Sequence, residues 1–202
     1  MRKFIALPDS NYLHTCFTYN NGDLIWKSRP RSHFNTDKGM NQSNAVHLGK
    51  SAIMDARTGY KRVILNGVNY LAHRLIWAMF NPDDDISILE IDHINGVRID
   101  NRIENLRSGT HRQNQYNLRH KPNSILKLKG VSQNPNGRYY TRIRINGICK
   151  NIGTFDTKEE AHEAYRNAAE LHHGEFRNFG EFENTKDKAV QGCSKWEMRN
   201  LM

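Results

Sequence analysis

ILEIDHINGVRIDNRIENL, residues 88–106, decides how the middle of the chain is read. It predicts a strand ending at Asp92 and His93, a loop around Asn95-Gly96, and a return strand that carries Asn105. THRQNQYN, residues 110–117, opens on Thr110 with Gln113 three positions later, the reciprocal capping pattern that starts a helix. Strand, loop, strand and helix are therefore expected from residue 88 to about residue 117, with Asn114 on the helix.

Working upstream, HRLIWAMF (residues 73–80) places Leu75, Ile76, Met79 and Phe80 at helical spacing, and Asn81-Pro82 stops the run. YKRVILNGVNYLA (residues 60–72) predicts a hairpin turning at Asn66-Gly67, with Lys61, Arg62 and Asn69 along an exposed face. Residues 12–27 predict a further hairpin turning within Asn20-Asn21-Gly22-Asp23. Ser28 to Lys50 is polar, lacks both periodicities, and reads as a loop that could order on DNA.

Downstream, RHKPNSILK (residues 119–127) breaks at Pro122 and reads as a basic linker. Lys129 to Phe155 predicts three short strands with turns at Asn136-Gly137 and Asn146-Gly147. Thr157 and Glu160 form another capping box, followed by a stripe of Ala161, Ala164, Tyr165, Ala168 and Leu171. A three-stranded sheet backed by one helix follows. The tail from Glu181 is mostly polar, although Trp196, Met198, Leu201 and Met202 could dock.

With 202 residues and 37% hydrophobic content, the chain suits one ordinary or two small domains with modest cores, and a large enzyme barrel is excluded. Thirty basic against twenty-one acidic residues give a net charge of +9, which favours a polyanionic partner, either nucleic acid or an anionic membrane surface. No apolar run approaches the roughly 20 residues needed to span a bilayer, so no membrane association and a cytoplasmic location are expected. Cys16, Cys149 and Cys193 are too few and too separated for a disulfide framework or a CxxC zinc site.

The residue types around Asp92 suit phosphodiester hydrolysis, which needs a base for water and neutralisation of charge on phosphate and leaving oxygen. His93 can accept a proton near neutral pH, and the carboxylate of Asp92 and amide oxygen of Asn114 are hard ligands that suit Mg²⁺ or Mn²⁺ better than zinc. HRLIWAMF, EIDHINGVRIDNRIENL and THRQN together resemble the HNH endonuclease family of the phage and intron homing type. The resemblance covers roughly residues 58–118, with Asn114 instead of His at the final motif position, a variant that many homing members share. It implies a ββα-metal (His-Me finger) nuclease domain in which His93 is the general base, Asp92 and Asn114 hold one divalent metal, and Asn105 braces the segment presenting His93. It also implies 5′-phosphate and 3′-hydroxyl products, and a phage-encoded enzyme acting in a bacterial host's cytoplasm.

Blander readings stand beside these. An Asp-His pair is commonly a surface turn, and Asn105 can satisfy backbone groups as well as assist chemistry. His73 and Arg74 can touch phosphate or serve structure, and His111 beside the site has the same two readings, with a solvated helix position slightly preferred. His172-His173 lacks a spaced third ligand and reads as helix surface.

Between Lys129 and Phe155 stand Lys129, Arg138, Arg142, Arg144 and Lys150 with no acidic residue, while Glu159, Glu160, Glu163 and Glu170 lie on the following helix. Positive charge on the sheet makes it the expected nucleic-acid face. KGVSQNPNGRYYTRIRI, IGTFDTKEEAHEAYRNAAELHHG and RNF resemble the plant ethylene-response-factor DNA-binding domain of the APETALA-two type. That family lays a three-stranded sheet in the major groove, which implies that Lys129, Arg142 and Arg144 reach DNA and that Arg138 meets phosphate. Homing HNH nucleases carry this domain as a targeting module. Ser132, Asn134, Asn136, Cys149 and Asn151 depart from the plant pattern of Arg or Trp, so no plant target sequence transfers. Gln133, Asn134 and Asn136 can read base edges or stabilise turns.

The expected fold is α+β, with an N-terminal β-hairpin module and basic loop (1–57), nuclease domain (58–118), linker (119–128), sheet-and-helix DNA reader (129–180) and tail (181–202). The expected function is site-directed cleavage of double-stranded DNA with one Mg²⁺ or Mn²⁺ and no obligatory protein partner. The competing reading is a non-catalytic, sequence-specific DNA-binding regulator.

Overall fold

The structure, a computed structural model, describes residues 5–85, 88–118 and 126–179. These fall into two compact units. The first holds described residues 5–93 and 97–108, and the second holds 94–96 and 109–179. The expected role of the tail lies outside the described residues, as does most of the expected linker.

In the first unit, α1 (Ser10–Cys16) leads into the hairpin β1 (Phe17–Asn20) and β2 (Asp23–Trp26), followed by α2 (Asp37–His47). A three-stranded antiparallel sheet of β3 (Met54–Asp55), β4 (Lys61–Leu65) and β5 (Val68–Leu71) runs into α3 (Ala72–Phe80). A ribbon of β6 (Glu90–His93) and β7 (Leu106–Gly109) completes the expected strand, loop and strand. Asn21 and Asn66 take up the positive φ of their hairpin turns, as the Asn-Gly pairs require. The core gathers Leu13, Phe17, Leu24, Val63, Leu65, Leu75 and Ile76, all essentially inaccessible. α3 is the centre of this core because its apolar residues recur at helical spacing and bury Leu75, Ile76 and Met79.

In this unit three local expectations are corrected. Residues 10–16 are helical because the Asp9 carboxylate accepts from the N–H groups of Asn11 and Tyr12, and the helix buries Leu13 and Cys16, three apart on one face. The polar stretch after Ser28 contains α2, which buries no residue and so has no apolar stripe to reveal it. It is held by its Thr36 cap and by Asn44, whose side chain accepts from the Arg29 N–H and donates to the Arg29 carbonyl, both at 3.0 Å. Asn105 lies on a single 3₁₀ turn (Ile103–Asn105) directly before β7, since its own N–H bonds back to the Arg102 carbonyl.

In the second unit, α4 (His111–Asn117) starts at the expected Thr110–Gln113 capping box. β8 (Val131–Gln133), β9 (Tyr139–Ile145) and β10 (Ile148–Phe155) form an antiparallel sheet ordered β10-β9-β8, and α5 (Lys158–His173) packs across it. α5 buries Ala161, Tyr165 and Ala169 at four-residue spacing, the last two in one cluster with Ile143, whereas Leu171 is 78% exposed and outside the expected stripe. Gly130 is obligatory here: its φ is +77°, and a Cβ there would lie 2.1 Å from the Tyr165 ring. His173 is buried, correcting its reading as surface. Among the described residues no helix is long and apolar enough to cross a membrane.

Candidate active site

Alternation along β6 separates the two neighbours that the sequence singles out. Ile91 and His93 turn into the unit, while Asp92 between them stays half-buried. Arg107 on β7 reaches Asp92, its Nη2 and Nε donating to Oδ2 at 2.9 and 3.3 Å. This ion pair is well shielded, with side-chain exposures of 11% for Arg107 and 18% for Asp92.

His93 is held from the loop beyond. Its Nε2 lies 3.1 Å from Oδ1 of Asn101, and both residues are buried. An amide oxygen can only accept, so the neutral ring carries its proton on Nε2 and Nδ1 is its acceptor nitrogen. Burial pushes the His93 pKa below the usual histidine value, against the opposing pull of the Asn101 hydrogen bond and the Asp92 and Asp100 charges. The neutral, proton-accepting form is therefore the stable one near neutral pH.

The loop that offers Asn101 is itself built from local polar contacts. Asn105 Nδ2 donates to the Asp100 carbonyl at 2.8 Å, and Arg102 grips the Asp100 carboxylate with two bonds of 2.8 and 2.7 Å. The N-terminal hairpin supports it from outside: the Tyr19 hydroxyl accepts from the Ile103 N–H at 3.0 Å. At the hairpin turn, a Cβ on Gly22 would come within 2.9 Å of the Arg102 nitrogen. Asn105 thus bonds to the loop backbone, and Asn101 bonds to the His93 ring.

Behind His93 lies an aromatic layer. The His73 ring meets it edge-on at 4.8 Å, Tyr60 lies 6.0 Å away, and Arg98 covers Tyr60 at 5.0 Å. His73 is buried, with its Nδ1 lacking a hydrogen-bond partner, and burial pushes its pKa down to about 3. It is fixed as a neutral packing partner, which decides between the phosphate and structural readings of its position in favour of the structural one.

Asp92, His93 and Asn105 belong to the first unit, and Asn114 belongs to α4 in the second. Among the described residues no three His, Cys, Asp or Glu side chains cluster as a metal cage. The oxygen donors singled out, a carboxylate and a carboxamide, match a hard cation completed by water better than a soft one.

The sheet of the second unit sorts its side chains by face. Thr141 and Ile143 point to α5, while Arg142 and Arg144 are exposed on the opposite side with Tyr140. Arg142 lies over the Tyr140 ring at 4.7 Å, and across the ladder Asn151 and Cys149 oppose Arg142 and Arg144. Lys150 is exposed on β10, and Arg138 forms a surface pair with Asp156 at 2.8 Å. Lys129 Nζ donates to the Tyr116 carbonyl at 2.5 Å, at the end of α4.

Sequence reasoning missed Asn101 and Arg107. The signal for Arg107 was present, as a cation on the return strand opposite a carboxylate. Asn101 had none, because its bond to His93 spans eight residues of loop with no periodicity.

No solved structure is significantly similar to the chain. An uncharacterised HNH endonuclease of Acanthamoeba polyphaga mimivirus is 32% identical over 104 residues, which is 52% of this chain. The chain spans about half of that relative's length, 54%. Residues 70–116, the span from β5 to α4 that contains Asp92, His93, Asn101, Asn105, Arg107 and Asn114, match the family model of the HNH endonuclease.

Proposed function

We propose that the protein is a metal-dependent DNA endonuclease of the homing type, in which the first unit supplies the base and the sheet of the second unit grips duplex DNA. The observation that carries this reading is the buried His93–Asn101 bond beside the half-buried Asp92. It leaves Nδ1 as the proton-accepting nitrogen of a neutral imidazole, with a hard anionic ligand one residue earlier on the same strand, the residue types that water activation at a phosphodiester requires.

Asp92 and Asn114 would hold one divalent cation, Mg²⁺ or Mn²⁺. Bound there, it would neutralise charge on the scissile phosphate and the departing 3′-oxygen. His93 takes a proton from water at Nδ1 as the water oxygen bonds to phosphorus. The bond from phosphorus to the 3′-oxygen breaks, and solvent returns a proton to that oxygen. The products are a 5′-phosphate and a 3′-hydroxyl. Asn101 keeps the proton on Nε2 throughout, and Asn105 keeps the Asn101 loop in place.

Arg142 and Arg144, with Tyr140 on the same strand and face, present a cationic and aromatic surface free of carboxylates on β9, which suits a phosphate backbone and base edges. Lys150, which pairs with Ile143 across the ladder, lies on the α5 side of the sheet and outside this surface, and Lys129 and Arg138 would join it by exchanging the Tyr116 carbonyl and Asp156 for phosphate. A domain of the ethylene-response-factor type, entering the major groove by its sheet, accounts for this arrangement.

The test is the chemistry of the ends. Supercoiled plasmid incubated with protein and Mg²⁺ or Mn²⁺ should yield nicks that a DNA ligase reseals without prior kinase treatment, and EDTA should abolish them. Intact plasmid with either metal, alongside tight duplex binding, would make the protein a DNA-binding regulator.

A further inference from the structure

We propose that Tyr116 and His173 are positioning residues that fasten the helix carrying Asn114 to the DNA-facing sheet, so that the reader sets the place of the metal ligand. This rests on the roles proposed above for Asn114 and for the sheet.

All the contacts concerned lie within the second unit. The Tyr116 ring stacks on the His173 ring at 3.9 Å with only 9° between their planes. His173, at the last turn of α5, points its Nε2 at the backbone carbonyl of Arg144 on β9, 2.9 Å away. The Tyr116 hydroxyl accepts from the N–H of Asn146 in the β9–β10 turn at 3.1 Å, and the Tyr116 carbonyl accepts from Lys129. Asn178 Nδ2 donates to Oδ1 of Asn117, the last residue of α4. The approach to the helix is closed as well: a Cβ on Gly109 would lie 2.6 Å from the Phe176 ring and 3.2 Å from Oδ1 of Asn114.

A helix of seven residues is too short to be stable by itself, so α4 takes its position from what it packs on. Here that support is the sheet-and-helix body. The path is short: Arg144 offers its side chain to the exposed face and its carbonyl to His173, His173 stacks on Tyr116, and Tyr116 stands two residues from Asn114. Groups that orient a metal ligand tune its affinity without touching the ion. Duplex contact at the sheet and cation binding at Asn114 thus act on parts joined by the Tyr116–His173 stack.

The experiment uses the full chain with Tyr116→Ala, Tyr116→Phe, His173→Ala and His173→Gln. Three quantities are read: Mn²⁺ needed for half-maximal plasmid nicking, the rise in melting temperature produced by Mn²⁺ alone, and duplex affinity in EDTA. Tyr116→Ala and His173→Ala should raise the Mn²⁺ requirement about tenfold and shrink the thermal shift, with duplex affinity unchanged. Tyr116→Phe keeps the stack and should recover most of the loss. If the alanine variants do not fold, His173→Gln, which keeps a donor for the Arg144 carbonyl and loses only the stack, decides the matter. A wild-type Mn²⁺ requirement and thermal shift in the stack-deficient variants would overturn the inference, as would lost duplex affinity with an unchanged Mn²⁺ requirement. Failure of the wild type to nick would instead sink the nuclease reading, and the Mn²⁺ thermal shift would still decide this one.

Discussion

The Nε2 of His93 and the Oδ1 of Asn101 face each other at 3.1 Å inside the first unit, and this bond sets which imidazole nitrogen can take a proton. Asn101→Ala should leave duplex affinity intact while slowing nicking, because the ring can then adopt either tautomer. The loss should be smaller than the roughly 10²- to 10⁴-fold expected for removing a general base outright with His93→Ala. Single-turnover nicking rates beside binding in EDTA check this, and equal losses in rate and affinity would contradict it.

Burial of His73 makes stability depend on pH. Its folded pKa of about 3 lies below the unfolded value, so the unfolded chain binds the extra proton between the two. Stability should therefore be present above pH ~6.5 and fall as the pH drops, with this group contributing up to about 1.4 kcal/mol per pH unit. Urea midpoints of wild type and His73→Gln at pH 7.5, 6 and 5 measure it. The slope should be steeper in wild type, and parallel curves would count against a buried neutral His73.

Arg107 and Asp92 form the most shielded ion pair at the candidate site. Arg107→Ala should destabilise the chain by up to about 3 kcal/mol, the low end for breaking a buried pair, because Asp92 keeps some exposure. Mn²⁺ should then raise the melting temperature of Arg107→Ala more than that of wild type, since it replaces a lost cation at Asp92. Thermal melts with and without Mn²⁺ read both effects.

On the exposed face of β9, Arg142→Ala and Arg144→Ala should each weaken duplex binding and lower the slope of log affinity against log salt by about one. Glu159→Gln on the first turn of α5, away from that face, should leave the slope unchanged. Fluorescence anisotropy over a salt series distinguishes them.

Gly130→Ala should unfold or strongly destabilise the second unit. Positive φ and overlap with the Tyr165 ring together cost about 3 kcal/mol or more. Loss of the second unit's cooperative melt, with the first unit's retained, is the expected signature.

The parts of this structure legible in the sequence are those with local causes. Asn-Gly turns announced the hairpins at Asn21 and Asn66, capping boxes announced α4 and α5, and helical spacing announced α3. The first half of the expected N-terminal hairpin is a helix: Tyr12 and Thr15 favour a strand, but the Asp9 cap and the burial of Leu13 and Cys16 on one face outweigh that preference. α2 was hidden because it buries nothing. At the site, Asp92, His93 and Asn105 stood out by residue type and spacing. Asn101 and the His173–Tyr116 stack did not, because each depends on contacts made through tertiary packing across 8 and 57 residues.

The role of His93 as the base of a metal-dependent nuclease is tested by comparing wild type with His93→Ala on supercoiled plasmid in Mg²⁺, Mn²⁺ and EDTA. Wild type should nick in a metal-dependent way that is lost in His93→Ala, with the variant binding duplex DNA as tightly as wild type. Undiminished nicking by His93→Ala would contradict it.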